Sequence, residues 1–154
     1  SFKNGKKIGY NTDAFGFEKT LLINKKDHHK KALILGDGGA AKAVRYILNK
    51  HNIEHQTISR KSEITFENLS EDLVKDSLLI IQTTPVGTFP NVDDSVQFPF
   101  EAITNQHYVI DLIYNPSETA FLKKSAEKGA TTLNGFYMLE QQAERAWEIW
   151  KGSN

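Results

Sequence analysis

The run Ala32-Leu33-Ile34-Leu35-Gly36-Asp37-Gly38-Gly39-Ala40-Ala41-Lys42-Ala43-Val44 constrains this chain more than any other stretch. A short apolar segment meets a glycine turn, and the turn opens into a helical pattern. This is the strand–turn–helix context of a G-x-G-x-x-[GA] dinucleotide fingerprint, carried by Gly36, Gly38 and Ala41. Gly36 allows the tight turn, Gly38 has no Cβ to hold a pyrophosphate off the backbone, and Ala41 lets the helix pack closely on the strand. The helix start at Gly39 and Ala40 then offers free N–H groups and partial positive charge to phosphates. The same residues could form a glycine-rich turn that binds nothing, so the rest of the chain has to separate the two readings.

Around this unit, apolar runs alternate with helical patterns. Strands are expected at 54–59, 77–81, 108–114 and 131–133, with Asp111 inside the third of these. A helix is expected near 12–25, with Thr12 or Asn11 as N-cap, Asp13 in its first turn, and Phe15, Leu21 and Leu22 as its apolar members. Further helices are expected from the fingerprint to about Lys50, over 67–76, and over about 118–128, where Asn115-Pro116-Ser117 caps and Gly129 stops. The last helix, 135–151, carries an apolar stripe of Phe136, Leu139, Ala143, Ala146, Trp147 and Trp150, with Gln142 on a face opposite the core. Residues 1–10 read as a turn at Asn4-Gly5 between two extended pieces, and 98–104 as a connector with one helical turn. His28 and His29 fall in the polar connector 25–31; adjacent histidines point different ways, so a solvated loop is expected and no metal site. The alternation implies an α/β fold, a doubly wound, mostly parallel sheet of Rossmann type with helices on both faces, in one domain over 1–154.

Composition narrows the function. The 154 residues can bury a sizeable core, and 19 basic against 19 acidic side chains leave no electrostatic footprint for nucleic acid or an anionic membrane. No apolar run approaches the roughly 20 residues of a membrane span, and no signal peptide is evident. Absence of cysteine excludes disulfides and thiolate metal sites and fits a reducing compartment, the cytoplasm. The chain starts at Ser1 and passes through the polar Lys3-Asn4-Gly5-Lys6-Lys7, which reads like a piece that begins mid-protein.

The end of the second strand addresses the choice of nucleotide. NAD sites place an acid there for the ribose 2′-hydroxyl, whereas this chain has Ser59-Arg60-Lys61. Two cations attract a 2′-phosphate, and the Arg60 guanidinium can also lie against adenine. A solvated pair of charges is the plain alternative, but with the fingerprint NADP is expected over NAD.

Four further stretches share one pattern. Gly9-Tyr10-Asn11-Thr12-Asp13-Ala14-Phe15-Gly16 resembles the G-x-N-T-D-x-x-G motif of shikimate dehydrogenases, and Gln82-Thr83-Thr84-Pro85-Val86-Gly87 resembles their N-[AC]-T-P-x-G loop. Asp111 to Thr119 is similar to D-x-x-Y-x-P-x-x-T, and Asn134 to Ala143 to [ND]-G-x-x-M-L-x-x-Q-A. The resemblance covers nearly the whole chain. It implies NADPH-dependent reduction of 3-dehydroshikimate to shikimate in aromatic amino-acid synthesis, with Asp13 as the catalytic and substrate-binding aspartate, and Gln142 and Tyr114 as substrate-side residues. It also implies cofactor contacts from Thr83, Thr84 and Pro85, nicotinamide-side positions at Gly135 and Met138, and a 2′-phosphate contact from Arg60. By residue type alone, Asp13 would be a helix-capping carboxylate, Gln142 a solvated residue, Met138 core and Tyr114 a strand-end aromatic. Gln82, Tyr137 and Lys61 depart from the usual Asn, Gly and Thr.

The family also has an N-terminal domain with a Ser-x-Ser pair for the substrate carboxylate and a catalytic lysine, and nothing here matches either. The chain is therefore expected to be the nucleotide-binding half, inactive alone, with the missing domain as its partner. The alternatives are a stand-alone NADP-binding or regulatory module, or a quinate/shikimate dehydrogenase using NAD.

Overall fold

Alternate residues of Ala32-Leu33-Ile34-Leu35 serve two different cores. In the computed structural model, which describes residues 11–152 and the backbone of two short strands near the N-terminus, this segment lies in an inner strand of a five-stranded sheet, one place in from the edge. The two short strands, β1 (Phe2–Lys3) and β2 (Lys6–Lys7), form a separate antiparallel pair. The turn expected at Asn4-Gly5, and Gly9 and Tyr10 of the first motif, lie outside the described residues. The large sheet holds β3 (Lys31–Leu35), β4 (Glu54–Ile58), β5 (Leu79–Gln82), β6 (Tyr108–Asp111) and β7 (Thr131–Leu133) in the order β4-β3-β5-β6-β7, all parallel.

Because side chains alternate along each strand, the sheet sorts the apolar residues into two layers. Ala32, Ile34, Leu79, Ile81, Tyr108 and Ile110 face α1 (Thr12–Asn24), α2 (Gly39–Lys50) and α5 (Phe136–Lys151). Leu33, Leu35, Ile58, Ile80 and Val109 face α3 (Glu71–Asp76), the 3₁₀ turn Phe100–Ala102 and α4 (Ala120–Glu127). Phe17, absent from the apolar members expected of the first helix, is fully buried, whereas Leu22 is exposed.

Several boundaries move for local reasons. α3 begins only at Glu71, because the Ser70 hydroxyl accepts the Leu73 N–H and so caps the helix there. α4 is capped by Thr119, not by Asn115-Pro116-Ser117. β6 stops at Asp111, whose carboxylate accepts the Ile113 N–H and turns the chain. His29 is not in a solvated loop. It is buried, with Nδ1 accepting the Lys26 N–H and Nε2 donating to the Gln106 carbonyl, and burial holds its pKa below the usual histidine value.

The largest correction concerns α5. The expected apolar stripe is not the packed face: Phe136, Leu139, Trp147 and Trp150 are exposed, the two tryptophans stacked at 5.1 Å, and Met138 is the buried residue. Gln142 and Arg145 continue the Met138 line at helical spacing, and the Arg145 guanidinium lies 5.4 Å from the Phe15 ring of α1. The contact is close because Gly16 sits at the crossing. A Cβ there would come within 2.7 Å of the Met138 carbonyl oxygen and 2.8 Å of Gln142 Cγ.

Candidate functional site

An all-parallel sheet ends every strand at one edge, and the order β4-β3-β5 sends the chain from β3 to either side. That reversal opens a crevice between the ends of β3 and β5, where α/β folds of this kind place ligands. The fingerprint lies at this point. Gly36 has φ of +111°, its N–H donates to the Ile58 carbonyl at 2.8 Å, and a Cβ would come within 2.5 Å of Thr83 Oγ1. No side chain other than hydrogen fits both demands. Thr83 in turn donates its N–H and its hydroxyl to the Leu35 carbonyl, each at 2.8 Å, which holds the turn and the β5 loop together.

Beyond Gly36 the turn opens outward. Gly38 is the N-cap of α2 without a side-chain cap bond, and a Cβ on Gly38 or Gly39 would meet nothing within 4 Å. Both are exposed, Ala40 is half-buried and Ala41 is fully buried in the core. The first-turn N–H groups of α2 therefore face open space. At the end of β4, Ser59 builds a tight turn: its N–H donates to Ser62 Oγ at 2.6 Å, and its hydroxyl accepts the N–H groups of Lys61 and Ser62. Arg60 and Lys61 project from that turn exposed, with no ion pair among the described residues.

Gln82 fixes the loop after β5. Its buried amide accepts the Thr84 N–H at 2.6 Å and donates to the Thr84 carbonyl at 3.1 Å and to Asp111 Oδ1 at 3.4 Å. Asp111 is fully buried, so desolvation pushes its carboxyl up to about 6, although the Thr119 hydroxyl (2.7 Å), the Ile113 N–H and Gln82 all favour the charged form. Thr83 and Thr84 are half-buried, while Pro85 and Tyr114 are exposed at the same edge. Gly135 meets the Tyr114 segment closely: its N–H donates to the Ile113 carbonyl at 2.9 Å, and a Cβ would overlap the Leu112 carbonyl.

Asp13 and Gln142 meet across the α1–α5 crossing, Gln142 Nε2 donating to Asp13 Oδ1 at 2.7 Å. Asp13 does not cap its helix. Asn11 does, its Oδ1 accepting the Ala14 N–H at 3.0 Å, which leaves the exposed Asp13 carboxylate free of that role. Met138 is buried within the core below this pair.

Three groups at this edge carry little signal in the sequence. Gln82 stands out only as a departure from Asn, Asp111 only as an acid inside a strand, and the Asp37–Arg45 ion pair (2.8 Å) not at all. A lone acid closing the apolar run Tyr108-Val109-Ile110 is the available signal for Asp111. Among the described residues, no group of three His, Asp or Glu side chains could hold a metal, and no helix is long and apolar enough to cross a membrane.

No protein-family model matches the chain. A shikimate dehydrogenase (NADP(+)) of Desulforamulus reducens is 35% identical over 172 residues, an alignment that covers 97% of this chain and 59% of that protein. Among solved structures, shikimate dehydrogenase from Aquifex aeolicus superposes with a TM-score of 0.81 at 35% identity, covering 98% of this chain and 59% of that one. The Thermus thermophilus enzyme, in complex with NADP(H) and shikimate, gives 0.79 at 28% identity over 94% and 57%. The chain thus spans about three-fifths of the length of the proteins it matches. Four sequence motifs, a fingerprint seated at the sheet's reversal point and relatives aligned along almost every residue converge on one statement: over nearly its whole length the chain is similar to shikimate dehydrogenases, of which it spans about three-fifths.

Proposed function

We propose that the chain is the dinucleotide-binding portion of an NADP-dependent shikimate dehydrogenase, which interconverts 3-dehydroshikimate and shikimate together with a substrate domain. The observation that carries this reading is the Asp13–Gln142 pair, a carboxylate held by an amide at 2.7 Å on the open face of the first and last helices. An acid whose helix is capped by another residue, and which is aimed by a neighbour, suits a proton-handling or hydroxyl-orienting role.

The residues present fit the nucleotide. The unfilled space at Gly38 and Gly39 accepts a pyrophosphate against the start of α2, and exposed Arg60 and Lys61 suit a 2′-phosphate. When bound, NADPH supplies the hydride. The Thr83–Pro85 loop and Gly135 border the nicotinamide side, with Met138 packed beneath. Asp13, Gln142 and Tyr114 form one wall of the substrate pocket, in which Asp13 orients the reacting oxygen or its proton donor. The other wall, with a carboxylate anchor and a cation to meet charge developing on oxygen, belongs to the substrate domain.

Titration with NADPH and NADH, followed by nucleotide fluorescence, tests the cofactor assignment; equal affinity for both overturns it. Shikimate-dependent reduction of NADP+ tests the rest. It is expected to be at background for this chain alone and present in a form carrying a substrate domain, and its absence from the longer form overturns the activity.

A further inference from the structure

The dinucleotide turn contains an acid. Asp37 stands between Gly36 and Gly38, and it is the sole carboxylate from Gly36 to Lys50. Its side chain is 53% exposed, at the mouth of a turn whose neighbours leave open space. A free carboxylate there would oppose the doubly charged pyrophosphate that this backbone is shaped to receive, by simple like-charge repulsion. The fold supplies a counter-charge. Arg45, two turns along α2, sends Nη1 back to Asp37 Oδ1 at 2.8 Å and to Thr57 Oγ1 on β4 at 3.4 Å. Its side chain is 26% exposed, so the guanidinium is the better shielded member of the pair. It bridges the two segments that would border the nucleotide, the turn after β3 and the strand that leads to Arg60.

We propose that Arg45 acts through Asp37 to set the charge of the turn: paired, the two side chains leave the helix start free to attract phosphate, and without Arg45 the turn repels it. The proposal rests on reading this turn as the dinucleotide site. It differs from the role of Arg60 in a specific way. Arg45 serves the pyrophosphate, which NADP and NAD share, so its loss weakens both nucleotides alike and leaves the preference between them unchanged.

The test is nucleotide titration of the parent, Arg45→Leu, Asp37→Asn and the double variant, with Arg45→Lys as the conservative control. Arg45→Leu is expected to weaken NADPH and NADH by about tenfold each at low salt, the scale of one uncompensated charge at a partly exposed site. Adding Asp37→Asn to Arg45→Leu is expected to recover the affinity to within about threefold of the parent, and at about 0.5 M salt the Arg45→Leu deficit should largely close. A merely structural arginine would not be rescued by removing a neighbouring charge, nor by screening. Arg45→Lys should stay near the parent, and it keeps the test decisive if Arg45→Leu folds poorly, since Asp37→Asn alone should then bind at least as tightly as the parent. Unchanged affinity in Arg45→Leu, failure of the rescue, or weaker binding by Asp37→Asn overturns the proposal while the site reading stands. A parent that binds neither nucleotide overturns the site reading and the proposal with it.

Discussion

Gln142 Nε2 donates to Asp13 Oδ1 across 2.7 Å, joining the first turn of α1 to the second turn of α5 over 129 residues of sequence. The second carboxylate oxygen of Asp13 has no protein partner among the described residues. One oxygen is thus held and the other has no partner among the described residues, which suits the substrate-facing role proposed above. In an active form carrying the substrate domain, Asp13→Asn is expected to lower turnover by about 10²-fold or more, the scale of a lost acid–base group. NADPH affinity should change little, because Asp13 lies apart from the glycine turn. Steady-state kinetics checks both, and near-normal turnover would reduce Asp13 to a surface residue.

Arg60 sets the second prediction. It projects from the Ser59–Ser62 turn at the end of β4, next to Lys61, with no ion pair among the described residues. Under the cofactor assignment proposed above, Arg60→Asp replaces a cation by an anion where the 2′-phosphate would lie and should abolish the preference for NADPH over NADH. The expected loss for NADPH is at least about tenfold, as for a charge-assisted hydrogen bond of about 1.5–3 kcal/mol. Comparative titration of the two nucleotides measures it.

Burial of Asp111 predicts a pH dependence of stability. Its carboxyl is raised from 3.8 to about 6 in the fold, chiefly by desolvation. The folded state therefore holds a proton that the unfolded chain releases earlier, so this stabilisation is fully present below about pH 4 and is lost as pH rises through about 6. The difference in unfolding free energy between the parent and Asp111→Asn should fall by up to about 3 kcal/mol over that window and stay flat above it. Denaturant unfolding at several pH values reads this directly; a flat difference would show an unperturbed carboxyl.

Gly16 predicts a steric cost. Gly16→Ala places a methyl group against the Met138 carbonyl, which is backbone and cannot swing away. The two helices must separate, at about 1–3 kcal/mol, the usual range for overpacking. A lower denaturant midpoint with NADPH affinity retained is the expected result, since the glycine turn at Gly36 is untouched.

The strands were legible because a parallel sheet buries both faces, and continuous runs such as Leu79-Ile80-Ile81 have few other uses. The glycine turn was legible because its residue types are dictated by backbone geometry at Gly36. The packed face of α5 was not. Its inward line is Met138, Gln142 and Arg145, mostly polar because it crosses α1 at Gly16 and carries the partner of Asp13, and the apolar stripe beside it suggested the opposite orientation. Residues paired across long sequence separations stayed hidden for a related reason. Nothing near His29 in sequence announces the Gln106 carbonyl, and nothing near Gln82 announces Asp111.

The sheet divides the molecule into two apolar layers, yet a line of hydrogen bonds crosses from one side's helix to the open edge. It runs from the Leu122 N–H to Thr119 Oγ1, from that hydroxyl to Asp111, from Gln82 to the same carboxylate, and from the Thr84 N–H back to Gln82. Each link shares a polar atom group with the next, so the first turn of α4 and the loop after β5 are mechanically geared. If the nucleotide proposed above binds against that loop, any tightening there has a hydrogen-bonded route to an amide on the far side of the sheet. Slowed exchange of the Leu122 amide on adding nucleotide is then the expected readout, without any probe at the site itself.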